Sequence, residues 1–265
     1  MQDYATELLD AAVHARSIEP FTSRDRGFDA GHAYAVAMKV HRARVARGER
    51  PVGRKIGFTN RNIWPEYGVY EPIWGFMYDT TVTYAQGGRA DVWLNRLMEP
   101  RIEPEIVLHF AAAPPAGSDE RALLACIDWI AHGFEIVQSA FPNWKFKVED
   151  TIAANGLHGA LVIGTPTPVS DVPDCSRKLR EFEVALHRGG KLQAEGVGAN
   201  VLGSPLAAFA HLAHVLGHLP QFAPVGAGEV VTTGTLTPAL PVKAGETWST
   251  VLEGIALPGL TVTFR

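Results

Sequence analysis

The strongest constraint on how this chain folds is a change in sequence texture at Pro51. Before Pro51, apolar residues recur at helical spacing in two segments, one ending near Pro20 and the other covering residues 30–47. After it, short apolar runs alternate with glycine and proline, which predicts strands joined by loops. We therefore expect an α+β fold in which a helical N-terminal arm (1–50) packs on a mixed, mostly β catalytic body (51–265), the two forming one structural domain.

Within the body, two predicted helices interrupt the strands. One follows Ser118 as N-cap and carries apolar residues as far as Ile130, and the other begins after Ser204. Gly189-Gly190 predicts a hairpin turn. The predicted strands are 52–58, 81–84, 102–110, 134–138, 160–163, 179–186, 191–195, 229–233, 248–253 and 260–264.

Charge and composition exclude several classes of protein. A net charge of −4 without a basic stripe argues against nucleic-acid binding. No run approaches the roughly 18 apolar residues of a membrane span. The two cysteines, Cys126 and Cys175, have no C-x-x-C spacing, which argues against a cysteine zinc site and suits a reducing compartment. Met1-Gln2-Asp3-Tyr4 does not begin a secretory signal, so we expect a cytoplasmic protein.

Three glutamates stand inside apolar runs. Glu103 and Glu105 lie two positions apart in a predicted strand, so their side chains should point to the same face, and Glu135 lies in another predicted strand. Acids beside apolar residues are unfavourable unless something neutralises them, and a divalent cation would do so. Oxygen ligands favour Mg2+ or Mn2+ over zinc. The alternative is an edge strand whose charges face water, and the pattern alone does not decide.

Lys55 and Asp79 are candidates for acid–base or binding roles. Lys55 has glycines two positions away on both sides, which would let another group approach its strand closely. A lysine there could bind a carboxylate, or carry protons if its pKa were lowered. The alternatives are an ordinary surface lysine and, for Asp79, a turn residue or helix cap.

Seven segments, taken in order, resemble the 2-keto-4-pentenoate hydratase and 4-oxalocrotonate decarboxylase family of the fumarylacetoacetate hydrolase superfamily. The resemblance extends from about Pro51 to the C-terminus. The segments are GRKIGFT (53–59), GVYEPIWG (68–75), RIEPEI (101–106), FEIV (134–137), DTIAAN (150–155), GSPL (203–206) and GEVVTTGT (228–235).

The resemblance implies a mixed β-roll fold, a homo-oligomer and Mg2+ or Mn2+ held by Glu103, Glu105 and Glu135. It further implies that Lys55 and Asp79 line the pocket as catalytic groups. The substrate would be a 2-oxo or 2-hydroxydienoic acid, and a decarboxylase or hydratase subunit would be the partner in a complex. The expected substrate-binding residues are Arg54, Thr59, Tyr70, Ile106, His158 and Thr235.

Two segments depart from the family pattern. His158 stands where relatives usually have a small or hydroxyl residue, and Gln138-Ser139-Ala140 replaces a common Asp-Ser-Arg. His158 could bind a second carboxylate or carry a proton, because its ordinary pKa lies near neutrality. An inert histidine in a glycine-rich loop is the alternative. The aromatic residues between 64 and 78 would either cover the pocket or form a plain core patch.

The function that we expect is metal-dependent addition of water to a 2-hydroxyalka-2,4-dienoate, giving a 4-hydroxy-2-oxo acid in the meta-cleavage degradation of aromatics. The first alternative is a decarboxylase of a 2-oxo dicarboxylic acid. Arg54 or His158 would then contact the second carboxylate. A hydrolase that cleaves a carbon–carbon bond in a diketo acid and a non-catalytic partner subunit are the remaining alternatives.

Overall fold

The structure is a computed structural model that describes residues 3–115 and 117–265. Met1 and Gln2, part of the stretch considered above for a secretory signal, and Ala116 lie outside the described residues. No helix in this described part is long and apolar enough to cross a membrane. Its α-helices are α1 (Tyr4–His14), α2 (Phe21–Arg24), α3 (Ala30–Ala46), α4 (Trp64–Tyr67), α5 (Glu120–Leu124), α6 (Val148–Ala153), α7 (Cys175–Glu181) and α8 (Pro205–Gly217).

Helices α1 to α3 form the predicted helical arm. The side chains of Asp3 and Asp29 accept hydrogen bonds from the first turns of α1 and α3, which satisfies main-chain N–H groups that have no partner within the helix. The arm packs on the body through aromatic contacts, among them Phe21 against Phe141 with ring centroids 5.8 Å apart. Polar contacts join it as well, since the Thr22 hydroxyl donates to Asp150 on α6 over 2.6 Å.

The larger sheet carries the functional residues. Seven strands of its described part follow the order β2-β1-β11-β5-β6-β7-β3, with β12 beside β5 and β8 beside β6. The pairs β1–β11 and β3–β7 are parallel and the others are antiparallel, so the sheet is mixed. The strands are β1 (Pro51–Gly57), β2 (Ile73–Tyr78), β3 (Val82–Tyr84), β5 (Arg101–Phe110), β6 (Ile127–Val137), β7 (His158–Ile163), β8 (Thr167–Pro168), β11 (Val230–Thr232) and β12 (Leu240–Pro241).

A smaller sheet packs against this one. Its order is β10-β9-β13-β14-β4, and the buried side chains between the sheets include Phe134, Ile136, Trp248 and Phe264. The Gly189-Gly190 turn joins β9 to β10 as a hairpin, as predicted. Mixed sheets with helices packed around them confirm the α+β prediction. The strands are β4 (Arg89–Val92), β9 (Glu183–Arg188), β10 (Lys191–Val197), β13 (Thr247–Glu253) and β14 (Thr261–Phe264).

Two predicted elements were wrong. The helix expected after Ser118 ends at Leu124, and Ile127 and Ile130 belong to the long strand β6. The expected strand 179–186 is helix α7 as far as Glu181, and only then strand β9. In both places a short apolar run fits the helical period and the strand period equally well. Pairing with β5 extends β6 over residues that were expected to be helical. Residues 179–181, which were expected to form a strand, belong to helix α7.

The middle of β5 is shaped by Pro104. Proline cannot donate a ladder hydrogen bond and is normally confined to edges and bulges. Here β5 is flanked by β11 and β12, but between them residues 233–239 leave the ladder and form a loop. Within that loop Leu236 N donates to Pro104 O over 3.0 Å. Because Pro104 lies in the gap between the two ladders, its missing N–H breaks no ladder hydrogen bond on that side. The interrupted ladder brings the loop over Glu103 and Glu105.

Candidate metal centre and cleft

The three glutamates predicted as metal ligands converge in the structure. Glu103 and Glu105 lie on one face of β5, and Glu103 is the direct cross-strand partner of Glu135 on β6. One carboxylate oxygen from each residue lies within 4.8 Å of the others, and all three residues are buried. Adjacent strands and the period of two therefore suffice to build the cluster.

These carboxylates repel one another. Burial, reinforced by Glu135 and Glu103, raises the pKa of Glu105 well above its ordinary value. Burial also raises the pKa of Glu103 to about 7. Glu135 behaves differently: although burial opposes it, the Lys55 ammonium and a hydrogen bond from His158 hold its pKa below the ordinary value. The cluster thus binds protons tightly when nothing else balances its charge.

The donor set fits a divalent cation. Glu105 Oε1 and Glu135 Oε2 are buried and have no hydrogen-bond partner among the described residues. The other oxygen of Glu105 accepts from Gly234 N over 2.7 Å, which fixes that carboxylate. Three carboxylates and one lysine leave two negative charges uncompensated. Oxygen ligands with this charge suit Mg2+, Mn2+ or Ca2+.

Lys55 belongs to the same cluster. It lies on β1, and its Nζ is 3.4 Å from Glu135 Oε2 with the side chain 3% exposed. Burial disfavours the ammonium, but the three glutamates outweigh it and raise the pKa of Lys55. In the metal-free protein the pKa of Lys55 is therefore raised and not lowered, so its neighbours favour the ammonium form.

A cleft opens beside the cluster. It encloses about 340 Å³ of space, open solvent at its mouth included. Apart from Lys55 and Glu103, its walls are apolar, aromatic or glycine, with Thr235 contributing a hydroxyl. The lining residues are Lys55, Gly57, Phe58, Ile63, Tyr67, Glu103, Val137, Trp144, Gly156, Leu157 and Thr235.

Two of the lining residues are glycines that make room for Lys55. A methyl group on Gly57 would lie 2.7 Å from Lys55 Nζ, and one on Gly156 would lie 2.9 Å from Lys55 Cδ. Both distances are shorter than a normal contact. Of the two glycines that flank Lys55, Gly57 is therefore approached by the lysine side chain itself, whereas Gly53 is approached by the main chain of Val230.

Asp79 and Arg54, which were expected in the site, lie away from the cluster in this structure. Lys55 pairs with Gly75 across β1 and β2, so Asp79, four residues further on, lies roughly 13 Å along the strand at about 3.3 Å per residue. It accepts hydrogen bonds from Arg50 N and Nε, which lower its pKa. Arg54 points to the face of β1 opposite Lys55, where its Nη1 lies 2.6 Å from Glu229 Oε2.

Three further expected substrate-binding residues also lie outside the cleft. The Thr59 hydroxyl donates to Thr233 O over 2.8 Å and so ties β1 to the 233–239 loop. Tyr70 is 65% exposed and packs edge-on against Trp64. Ile106 alternates away from the glutamates and is fully buried in a core cluster with Leu206 and Phe209. Of the expected set, Thr235 lines the cleft and His158 lies behind Glu135.

Several functional residues were missed from the sequence. Trp144, Leu157 and Ile63 come from short 3-10 turns. No periodicity marks such residues, because they meet only through tertiary contacts. The aromatic run 64–78 divides: Tyr67 lines the cleft, whereas Trp74, Phe76 and Tyr78 are buried in β2.

Comparisons with known proteins agree with this geometry. Residues 60–262 match the family model described as fumarylacetoacetate (FAA) hydrolase C-terminal. The chain is 32% identical to a 2-hydroxyhexa-2,4-dienoate hydratase of Comamonas testosteroni, covering 97% of this chain and 95% of that relative. It is 34% identical to 2-keto-4-pentenoate hydratase 2 of Dechloromonas aromatica (strain RCB), covering 95% and 93% of the two chains.

One solved structure has a very similar fold over nearly the whole chain. It is the 4-oxalocrotonate decarboxylase from Pseudomonas putida G7 complexed with magnesium and adipate, with a TM-score of 0.89 and 28% identity over 99% of this chain and 96% of that chain. The likeness confirms the fold type expected from the sequence. The chain therefore belongs to the fumarylacetoacetate hydrolase family, and within it to the 2-keto-4-pentenoate hydratase and 4-oxalocrotonate decarboxylase branch.

Proposed function

We propose that this protein is a divalent-metal-dependent hydratase that adds water to a 2-hydroxyalka-2,4-dienoate and releases a 4-hydroxy-2-oxo acid. The observation that carries the proposal is a cluster of three buried carboxylates beside a cleft whose far walls are apolar. Such a cleft suits an acid with one carboxylate at the metal end and an uncharged tail. The relatives above that are at least 30% identical are named hydratases of this substrate class.

We propose Glu103, Glu105 and Glu135 as the ligands of Mg2+ or Mn2+. When bound there, the ion supplies Lewis acidity toward the C1 carboxylate and C2 oxygen of the substrate. The solved decarboxylase was complexed with magnesium, which supports this choice. Glu105 is held by Gly234 N and Glu135 by His158, so two of the three carboxylates are oriented before any ligand arrives.

We propose Lys55 as the residue that stabilises negative charge on the substrate. Its ammonium borders both the carboxylates and the cleft, and can donate to the oxygen at C2 as electron density collects there. The reaction needs a proton at C5 to convert the dienol to a 2-oxo-3-enoate, then water at C4 and a proton at C3. Phe58, Tyr67 and Trp144 line the cleft and limit the entry of bulk water.

Decarboxylation of a 2-oxo dicarboxylic acid is the second candidate. The structural likeness to a decarboxylase complexed with adipate, itself a dicarboxylate, favours it. Among the described residues that line the cleft, however, Lys55 is the one cation, so a second carboxylate would meet aromatic and aliphatic walls. Arg101 stands beside Tyr67 and Trp144, but its Nη1 is engaged by Tyr67 Oη over 2.6 Å.

A paired assay tests the proposal. Purified protein with Mg2+ is given 2-hydroxypenta-2,4-dienoate and, separately, a 2-oxohexenedioate, while loss of dienol absorbance and release of CO2 are recorded. We expect loss of absorbance without CO2 for the first acid and little change for the second. CO2 release from the dicarboxylate would replace the proposal with the decarboxylase, and inactivity on both would refute the two candidates.

The predicted assembly as a homo-oligomer stays a proposal, as do the cytoplasmic location and a complex with a decarboxylase or hydratase partner subunit. Light scattering during size-exclusion chromatography measures the first directly. A mass equal to one 28.7 kDa chain would contradict it.

A further inference from the structure

His158 lies beside the proposed metal cluster, next to Glu135 and outside the cleft described above. Its side chain is fully buried. Nδ1 lies 2.8 Å from Glu135 Oε1, and Nε2 lies 2.9 Å from Thr81 Oγ1. Because an ionised carboxylate only accepts hydrogen bonds, Nδ1 is the donor to Glu135. Both ring nitrogens therefore have partners, and the ring cannot turn without losing one of them.

The hydrogen bond from His158 leaves the two carboxylate oxygens of Glu135 in different surroundings. Oε1 accepts from His158, whereas Oε2 finds no hydrogen-bond partner in the described part of the chain and lies near Lys55 and the other carboxylates. Without the histidine, Oε1 would be a buried charged atom lacking a partner, and the carboxylate would rotate to share its charge differently. Thr81 holds the ring from the other side, and its hydroxyl also contacts main-chain atoms of Tyr78.

We propose that His158, held by Thr81, is a positioning residue that aims Glu135 Oε2 at the metal site and so sets the affinity for the divalent ion. This inference rests on the proposed metal site. It replaces the interpretation of His158 as a substrate contact or proton carrier. Partners behind a metal ligand commonly change metal affinity about 10–100-fold when they are removed.

The test measures Mn2+ binding without substrate. The full chain is stripped of metal with a chelator, and free Mn2+ is titrated by electron paramagnetic resonance for the wild type, His158→Asn, His158→Gln and His158→Leu. Asparagine keeps a donor near the position of Nδ1, whereas glutamine carries its amide further out and leucine has none. We expect about 10–100-fold weaker binding for Gln and Leu, and binding within about threefold of wild type for Asn.

His132 provides a matched control. It is equally buried, and its nitrogens contact a main-chain carbonyl (Glu105 O, 3.0 Å) and a threonine hydroxyl (Thr250 Oγ1, 2.8 Å), but no carboxylate. His132→Gln should lower the melting temperature of the metal-free protein and leave Mn2+ affinity within about threefold of wild type. Thermal unfolding of every metal-free variant separates misfolding from loss of affinity.

The outcomes are distinct. If His158→Asn and His158→Gln bind Mn2+ equally well, or if His158→Leu binds like wild type, the positioning role is wrong. Should His158→Leu not fold, the comparison of Asn with Gln decides. A wild-type protein that binds no Mn2+ would instead overturn the metal site, and with it the proposed function.

Discussion

At the scale of single residues, the position of the Lys55 side chain depends on two neighbouring glycines, Gly57 and Gly156, which have no side chain to block it. Its aliphatic chain runs past Gly156 and its ammonium past Gly57, so the cation reaches the carboxylates through space that larger residues would fill. The sequence indicated close packing here by the glycines that flank Lys55, of which Gly57 makes room for the ammonium, but it did not indicate Gly156. The partners of the ammonium come from β5 and β6, which are distant in sequence.

Gly57→Ala tests this arrangement. Gly57 does not have a left-handed backbone, so alanine fits the main chain, but its methyl group would force Lys55 Nζ to move. We expect turnover to fall at least about 10-fold, because a misplaced charge stabilises the transition state less well. The melting temperature should change by only a few degrees, since the displaced atom is the end of a flexible side chain.

Gly217→Ala is the matched control, because the added methyl group meets no described atom within 4 Å beyond its chain neighbours and the backbone of its own helix, and the backbone there is not left-handed. It should leave turnover unchanged. Full activity in Gly57→Ala would show that the position of the ammonium is unimportant.

Lys55→Met tests the charge itself. The substitution keeps most of the aliphatic length and removes the donor, so we expect kcat to fall about 10²–10³-fold, the usual effect of losing one donor to a developing oxyanion. Mn2+ affinity, measured by titration, should be retained or increased because a cation has been removed from among the carboxylates. Unchanged turnover would refute the role of Lys55.

At the scale of elements, strand β1 shows how alternation separates residues that are adjacent in sequence. Lys55 faces the cleft, whereas Arg54 faces Glu229 and the ring of Phe76 on the other side of the sheet. The sequence predicted both as site residues, and a consistent use of the period of two would have kept only one. Asp79, also expected in the site, lies away from Lys55 because antiparallel pairing carries the end of β2 in the other direction.

Arg54→Met should therefore affect stability and not substrate binding. Removing one partner of a largely buried ion pair leaves the other charge uncompensated, and we expect a loss of about 3 kcal/mol in the free energy of unfolding. Urea denaturation measures this loss, and the double variant Arg54→Met/Glu229→Met should recover part of it. A raised KM with unchanged stability would return Arg54 to the substrate site.

At the scale of the whole molecule, the sequence predicted the α+β class from local periodicity, and it predicted the family from the order of its motifs. The convergence of the three glutamates was predicted through that family resemblance. The sequence did not predict cleft residues such as Trp144 and Leu157, since these come from turns that only the folded chain brings together. Nor did it predict the length of β6, whose apolar residues fit a helix equally well until β5 and β7 pair with it. The division at residue 50 stays a prediction.

The acidic cluster predicts how stability depends on pH and metal. The raised pKa of Glu103, about 7 against an ordinary 4.5, means that the folded metal-free protein holds more protons than the unfolded chain between these values. This contribution to stability is complete below pH 4.5 and is lost as pH rises through 7. Metal binding replaces the protons, so Mg2+ should raise the melting temperature by several degrees more at pH 8 than at pH 5.5.

Differential scanning calorimetry with and without Mg2+ at the two pH values measures the difference. The double variant Glu103→Gln/Glu105→Gln serves as the control. It removes two carboxyl groups that hold protons in the metal-free protein and that are proposed to bind the metal. A larger effect of Mg2+ at pH 5.5 than at pH 8 would contradict the assignment.

The hydrogen bond from Thr22 to Asp150 connects the N-terminal helices to α6. Asp150 also accepts from Lys147 N at the start of α6, and α6 leads straight into the turn that holds Gly156 against Lys55 and delivers His158 to Glu135. A chain shortened to begin at Pro51 would keep every proposed metal ligand, yet it would release the support beneath that turn. The arm shares one packed core with the cleft residues Tyr67, Trp144 and Leu157, so we expect its loss to lower turnover even though every proposed metal ligand remains.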